Sequence, residues 1–126
     1  MDPGLRLFFA SSGRLGRVDF VLAMAVVLCL FTGYETVVGG FLHLLTAWLA
    51  HLVLLAAGVS VLSKRLHDLG RSGWWSAVVW LVFVIVCPQP EGVVDDVLAT
   101  GLVVAGLYLA LAPGQPAFNR FGAPPK

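Results

Sequence analysis

The chain is poor in charge. Of its 126 residues 12% are Asp, Glu, Lys or Arg, where soluble proteins carry about a quarter. Between Val18 and Ser63 the only ionisable side chains apart from Cys29 and Tyr34 are Asp19, Glu35, His43 and His51. Between Ser72 and Asn119 there is no Lys or Arg. So few basic residues exclude a nucleic-acid partner. Cysteine is scarce too: Cys29 and Cys87 would stand at different depths of an apolar span, so neither a disulfide nor a thiolate metal site is expected. His67 and Asp68 have no spaced histidines to complete a metal site. A Gly-rich phosphate loop and a nucleophile elbow are also lacking. The chain therefore reads as a non-enzyme without a cofactor.

What is present is apolar. Hydrophobic residues make up 59% of the chain, and its mean hydropathy is +0.91. They form two blocks, each long enough for roughly two crossings at ~20 residues apiece. Gly39-Gly40 divides the first block; Pro88, Pro90 and Gly92 divide the second; Pro113 ends the last helix. The predicted fold is an all-α integral membrane protein, a single four-helix transmembrane domain over 1–126. Its helices are expected near 18–38, 41–62, 73–87 and 93–112, as two hairpins, with a tail at 113–126. The third helix is short, reaching ~22 Å against ~30 Å of hydrocarbon. The first apolar run is longer than a leader's h-region and follows three arginines, so it reads as a span.

The basic residues give the orientation. Arg6, Arg14 and Arg17 precede the first span, Lys64, Arg65 and Arg71 lie between the second and third, and Arg120 and Lys126 follow the fourth. Glu35, Glu91, Asp95 and Asp96 fall on the other side. By the positive-inside rule both termini and the 64–72 loop are cytoplasmic. Trp74 and Trp75 then sit at the inner interface and Tyr34 at the outer one, while Trp80 reads as packing.

The stretch KRLHDLGRSGWW, Lys64 to Trp75, concentrates polar groups between two greasy segments. On a helix, Asp68 is four residues from Lys64 and three from both Arg65 and Arg71, so all three cations are in reach. Gly70 is a candidate C-cap and Ser72 a candidate N-cap. The plain reading is a charge anchor with one neutralising aspartate. The functional reading is a cationic site for an anionic group, with arginine forks facing phosphate or carboxylate and His67 able to titrate near neutrality.

This stretch also resembles the hallmark of a bacterial inner-membrane family, domain of unknown function 805. SSGRLGRVDF (11–20) is similar to that family's entry segment, and FNRFGAPPK (118–126) to its Asn-Arg-Phe-Gly-x-x-Pro ending. Asp19 stands where the family more often has glutamate, and Val18 where it usually has a polar or basic residue. The resemblance implies a bacterial inner-membrane location and no established activity. All three segments fall on the cytoplasmic side. The N-terminal segment, the 63–73 loop and the tail are therefore expected to form a small cap. In it Asn119 and Arg120 would fold toward His67 and Asp68, and Phe118 or Phe121 would dock on Trp74 or Trp75.

Inside the membrane, His51 and His43 share a stripe with Ala47, Ala50, Leu54, Ala57 and Gly58. Two readings apply: a histidine hydrogen-bonded across helices, or an ion-path residue. Gly101-x-x-x-Ala105 and Gly106-x-x-x-Ala110 offer further small-residue faces. The leading functional reading is a non-catalytic membrane module. Its cytoplasmic basic and aromatic face (Arg14, Arg17, Lys64, Arg65, His67, Asp68, Arg71, Trp74, Trp75, Asn119, Arg120) would bind anionic lipid headgroups or a membrane protein partner. The alternatives are a subunit of a homo-oligomeric channel or transporter and a membrane-embedded lipid-modifying enzyme. The topology is checked by cysteine labelling in a variant lacking Cys29 and Cys87. Position 90 should react with an impermeant maleimide from outside, and positions 12 and 120 only after permeabilisation; the reverse pattern overturns the orientation.

Overall fold

A computed structural model describes residues 2–86 and 92–126, and these are helical apart from loops and one isolated bridge, Asn119 with Gly122. The helices are α1 (Pro3–Phe9), α2 (Arg17–Val37), α3 (Gly40–Asp68), α4 (Trp75–Val86) and α5 (Val93–Leu111). Helices α2, α3 and α5 are long and apolar enough to cross a membrane. The described α4 has 12 residues, about 18 Å at 1.5 Å per residue. The expected breaks at Pro88 and Pro90, with Cys87 and Glu91, lie outside the described residues.

Local chemistry explains the boundaries, including two that the sequence reading missed. The N-terminal segment contains a short helix, α1, with Pro3 in its first turn, where a missing N–H costs nothing. Helix α3 does not stop at 62 but runs on to Asp68, because the polar residues of that last stretch are buried against partners. It then ends as a Schellman turn: Arg71 N–H donates to the Leu66 carbonyl at 2.8 Å and Gly70 N–H to that of His67 at 3.0 Å. Gly70 takes φ +74°, a left-handed conformation that glycine tolerates best. Helix α4 begins at Trp75 rather than 73, with the Ser72 hydroxyl accepting from Trp74 N–H at 3.4 Å. Between α2 and α3, extended Val38 and Gly39 lead into Gly40 at φ +59°.

Helix α2 packs on α3 and α5, α4 packs on the same two, and α1 lies against α3. The packing is lopsided. Every buried residue of α3 falls between Ala57 and Asp68. Ala57, Val61, Leu62 and Leu66 of this stretch make the apolar core with Leu15, Phe20, Ala23, Val27, Trp80 and Leu109. The first half of α3, by contrast, leaves Phe41, Leu44, Trp48 and Leu52 exposed, as lipid-facing side chains would be. Trp80 packs as expected, its indole lying flush on Gly58. At Gly101 and Gly106 no atom of the described residues outside their own helix backbone lies within 4 Å of where a Cβ would be, whereas Ala110 packs on the core.

A Cβ at Gly58 would collide with the Trp80 ring. Overpacking of this kind costs about 1–3 kcal/mol. Gly58→Ala should lower the melting temperature in detergent, and Gly58→Ala/Trp80→Leu should lose less than the two single variants together. A Gly58→Ala melting curve superimposable on the parent's would rule the contact out.

Candidate functional site

The ends of four helices meet in the charged cluster. The start of α2 is tied to the end of α3 by Leu15 N–H donating to the Lys64 carbonyl at 3.2 Å. The tail after α5 is tied to the same place by Gln115 N–H donating to the Asp68 carbonyl at 2.8 Å. Ser63 and Ser76, buried at the start of α4, face each other at 3.1 Å. Gly114 passes so close to the Asp68 carboxylate that a Cβ there would overlap it.

Asp68 is the centre. Arg14 spans its Oδ1 with two bonds, from Nε at 3.1 Å and Nη2 at 2.9 Å. Arg65 donates from Nη1 to Oδ2 at 2.6 Å. The side chains of Arg14, Asp68 and Arg65 are 1%, 3% and 0% exposed. Burying charges is costly, and pairing offsets that cost only when the remaining donors are also satisfied. Here they are. Arg65 donates from Nε to the Leu109 carbonyl at 2.7 Å and from its Nη atoms to those of Leu15 and Ala112. Leu109 and Ala112 lie at the end of α5, where a helix leaves carbonyls without partners. Arg14 reaches the tail, donating to the carbonyls of Ala117 at 2.7 Å, Gly122 at 3.3 Å and Gln115. Arg17 adds a longer bond to the Leu111 carbonyl at 3.4 Å.

Two predicted partners of Asp68 go elsewhere. Lys64 turns away and donates from Nζ to the carbonyls of Arg6 and Leu7 at 2.6 Å each, closing the open end of α1. Arg71 follows the left-handed Gly70, so the chain has already left the helical face that would have aimed it at Asp68. It is exposed, and its guanidinium has no partner among the described residues. Arg14, distant in sequence, takes the place that helical spacing assigned to Lys64 and Arg71.

The tail is held by side chains as well. Asn119 donates from Nδ2 to the His67 carbonyl at 2.9 Å and to Gln115 Oε1 at 2.8 Å, and its Oδ1 accepts from Phe121 N–H at 2.9 Å. This local turn closes through the Asn119–Gly122 bridge, with Gly122 at φ +124°. Phe121 does not dock on Trp74 or Trp75. It stacks on the His67 ring, centroids 3.8 Å apart at 7°, because the turn carries it over α3 rather than α4. Phe118 is 77% exposed and Trp74 83%, and Trp75 is exposed too. His67 Nδ1 lies 3.1 Å from the Gly13 carbonyl and so must carry the proton. The Arg120 guanidinium sits 4.6 Å from the Phe121 centroid, within cation–π range.

Far from this cluster, His51 has a partner that the sequence reading did not give it. Its Nε2 lies 2.8 Å from Oε1 of Glu35, and His43 Nε2 is 3.5 Å from the same oxygen. Glu35 belongs to the last turn of α2 rather than to a loop. Spacing along one helix could not reveal a contact made between two. Among the described residues no group of three or more His, Cys, Asp or Glu is placed to hold a metal.

The family whose description reads "Protein of unknown function (DUF805)" matches residues 8–123, nearly the whole chain. No curated protein and no solved structure matches it.

Removing one partner of a buried pair costs about 3–5 kcal/mol. Asp68→Ala should therefore lower the melting temperature sharply, and Arg14→Lys should do so too, because lysine cannot span the carboxylate with a planar fork. Arg71→Lys should be silent. Equal melting of the Arg14→Lys and Arg71→Lys variants, read by the same thermal assay, would contradict this ranking.

Proposed function

The chain belongs to the DUF805 family, and from the geometry of its basic end we propose a non-catalytic membrane module that binds anionic lipid headgroups there. The observation that carries this reading is a division of labour among the cations. Arg14, Lys64 and Arg65 are spent inside the cluster on Asp68 and on backbone carbonyls. Arg6, Arg17, Arg71, Arg120 and Lys126 remain exposed, as do Trp74 and Trp75. The binding face is thus narrower than the whole motif: Arg17, Arg71 and Arg120 with the two tryptophans are its contacts, while His67, Asp68 and Asn119 hold their frame.

The membrane arrangement proposed with it has four crossings. Helix α4 starts beside the end of α3, and α5 returns to the same end, which supports two crossings by this part of the chain. With the basic residues at one end, the positive-inside rule makes that end cytoplasmic, in the bacterial inner membrane that the family's motifs suggest.

Each exposed Lys or Arg contributes about 1 kcal/mol toward an anionic surface, or about fivefold in retention. Native mass spectrometry from mild detergent should find phosphatidylglycerol retained in preference to phosphatidylcholine. The Arg17→Gln/Arg71→Gln/Arg120→Gln variant should lose that preference while keeping its melting temperature. Equal retention of the two lipids by the parent would refute the reading, and a tight lipid-free oligomer would favour a channel or transporter subunit instead.

A further inference from the structure

The half of the molecule away from the basic end contains a cavity of about 730 Å³, within the range of sites for small organic ligands. Its walls come from α2, α3 and α4, and include Phe31, Trp48, Leu52, Trp80 and Phe83. Set into these walls are Glu35 and His51. The carboxylate presents Oε1 to both histidines, and among the described residues no polar group bonds its Oε2. Tyr34 lies 5.3 Å from the His43 ring and 5.8 Å from that of His51, its hydroxyl engaged 2.8 Å from that of Thr46. From α4 the cavity receives Trp80, Phe83 and Val84, none of them titratable, and no residue of α5 lines it.

The Glu35 side chain is 38% exposed, so its carboxylate is open to a ligand of opposite charge. Every Lys and Arg lies at or before Arg17, the first residue of α2, between residues 64 and 71, or beyond α5, so none stands beside Glu35. A cation from outside is left as the source of positive charge. A metal ion would need more ligands than the cluster offers. Aromatic and aliphatic walls, with ring faces that attract positive charge, favour an organic one.

We propose that this cavity binds a lipophilic monovalent organic cation, with Glu35 as counter-charge and Phe31, Trp48, Trp80 and Phe83 as walls. The cation would share the carboxylate with His51, whose Nε2 lies 2.8 Å from Oε1. This site is independent of the lipid-headgroup reading, since it shares no residue with the basic end.

Tritiated tetraphenylphosphonium is the probe, measured by equilibrium dialysis against the full chain in neutral detergent, with uncharged triphenylphosphine oxide as comparator. Saturable binding of the cation is expected. It should weaken at least about tenfold in Glu35→Gln, which is about 1.4 kcal/mol, with the comparator unaffected. Equal binding of the cation by parent and Glu35→Gln, or binding of the comparator as tight as that of the cation, overturns the proposal. Should Glu35→Gln fail to fold, the parent decides alone: cation uptake that does not saturate, or that the uncharged comparator matches, is equally fatal.

Discussion

The structure depends on one carboxylate held between two arginines. Asp68 is buried at the end of α3, with Arg14 on one oxygen and Arg65 on the other. A lone buried aspartate would be intolerable, and so would either arginine. Together they form a net cation whose spare donors must find acceptors, and those acceptors are backbone carbonyls from α5, the entry segment and the tail. Three pieces of chain remote in sequence are thus fixed by the need to satisfy two guanidinium groups. Hydrophobic attraction cannot do this inside a bilayer, where lipid tails are as apolar as the side chains. Directional polar contacts decide the arrangement instead.

The two halves of the helical layer differ accordingly. Near Asp68 the chain is dense: Val61 and Arg65 are both fully buried. Away from it the helices separate around cavities with largely apolar walls. Trp80 stands at the boundary, lining the cavities on both sides while resting on Gly58. Its indole N–H is buried without an acceptor among the described residues, which suits a residue placed there for its shape.

Much of this was legible in the sequence, and the failures have a common cause. The apolar blocks announce α2, α3 and α5, because composition and length alone mark a span. The i to i+3 spacing of Arg65 and Asp68 correctly pairs them. The same rule misassigns Lys64 and Arg71, since it takes no account of where α1 lies or of the left-handed turn at Gly70. Arg14 as the second partner of Asp68, and Glu35 as the partner of His51, are contacts between elements, and periodicity says nothing about which elements touch. Phe121 was expected on a tryptophan and stacks on His67, because the turn at Asn119–Gly122 directs it, and that turn shows only once Asn119 is seen bonding its own neighbour. Helix α1 has too few residues to leave a periodic signal.

The tail's role has a consequence for biosynthesis. Chains are made from the N-terminus, so Arg14 and Asp68 are in place long before the carbonyls of Ala117 and Gly122 that complete Arg14's bonding. While the last helix is being inserted, the arginine has its carboxylate but lacks much of its acceptor set. Only residues 119–122 close the turn that supplies it. The polar cluster is therefore completed only once these residues have been made, and a chain cut short before Ala117 would carry its helices without the fastening that sets them relative to one another.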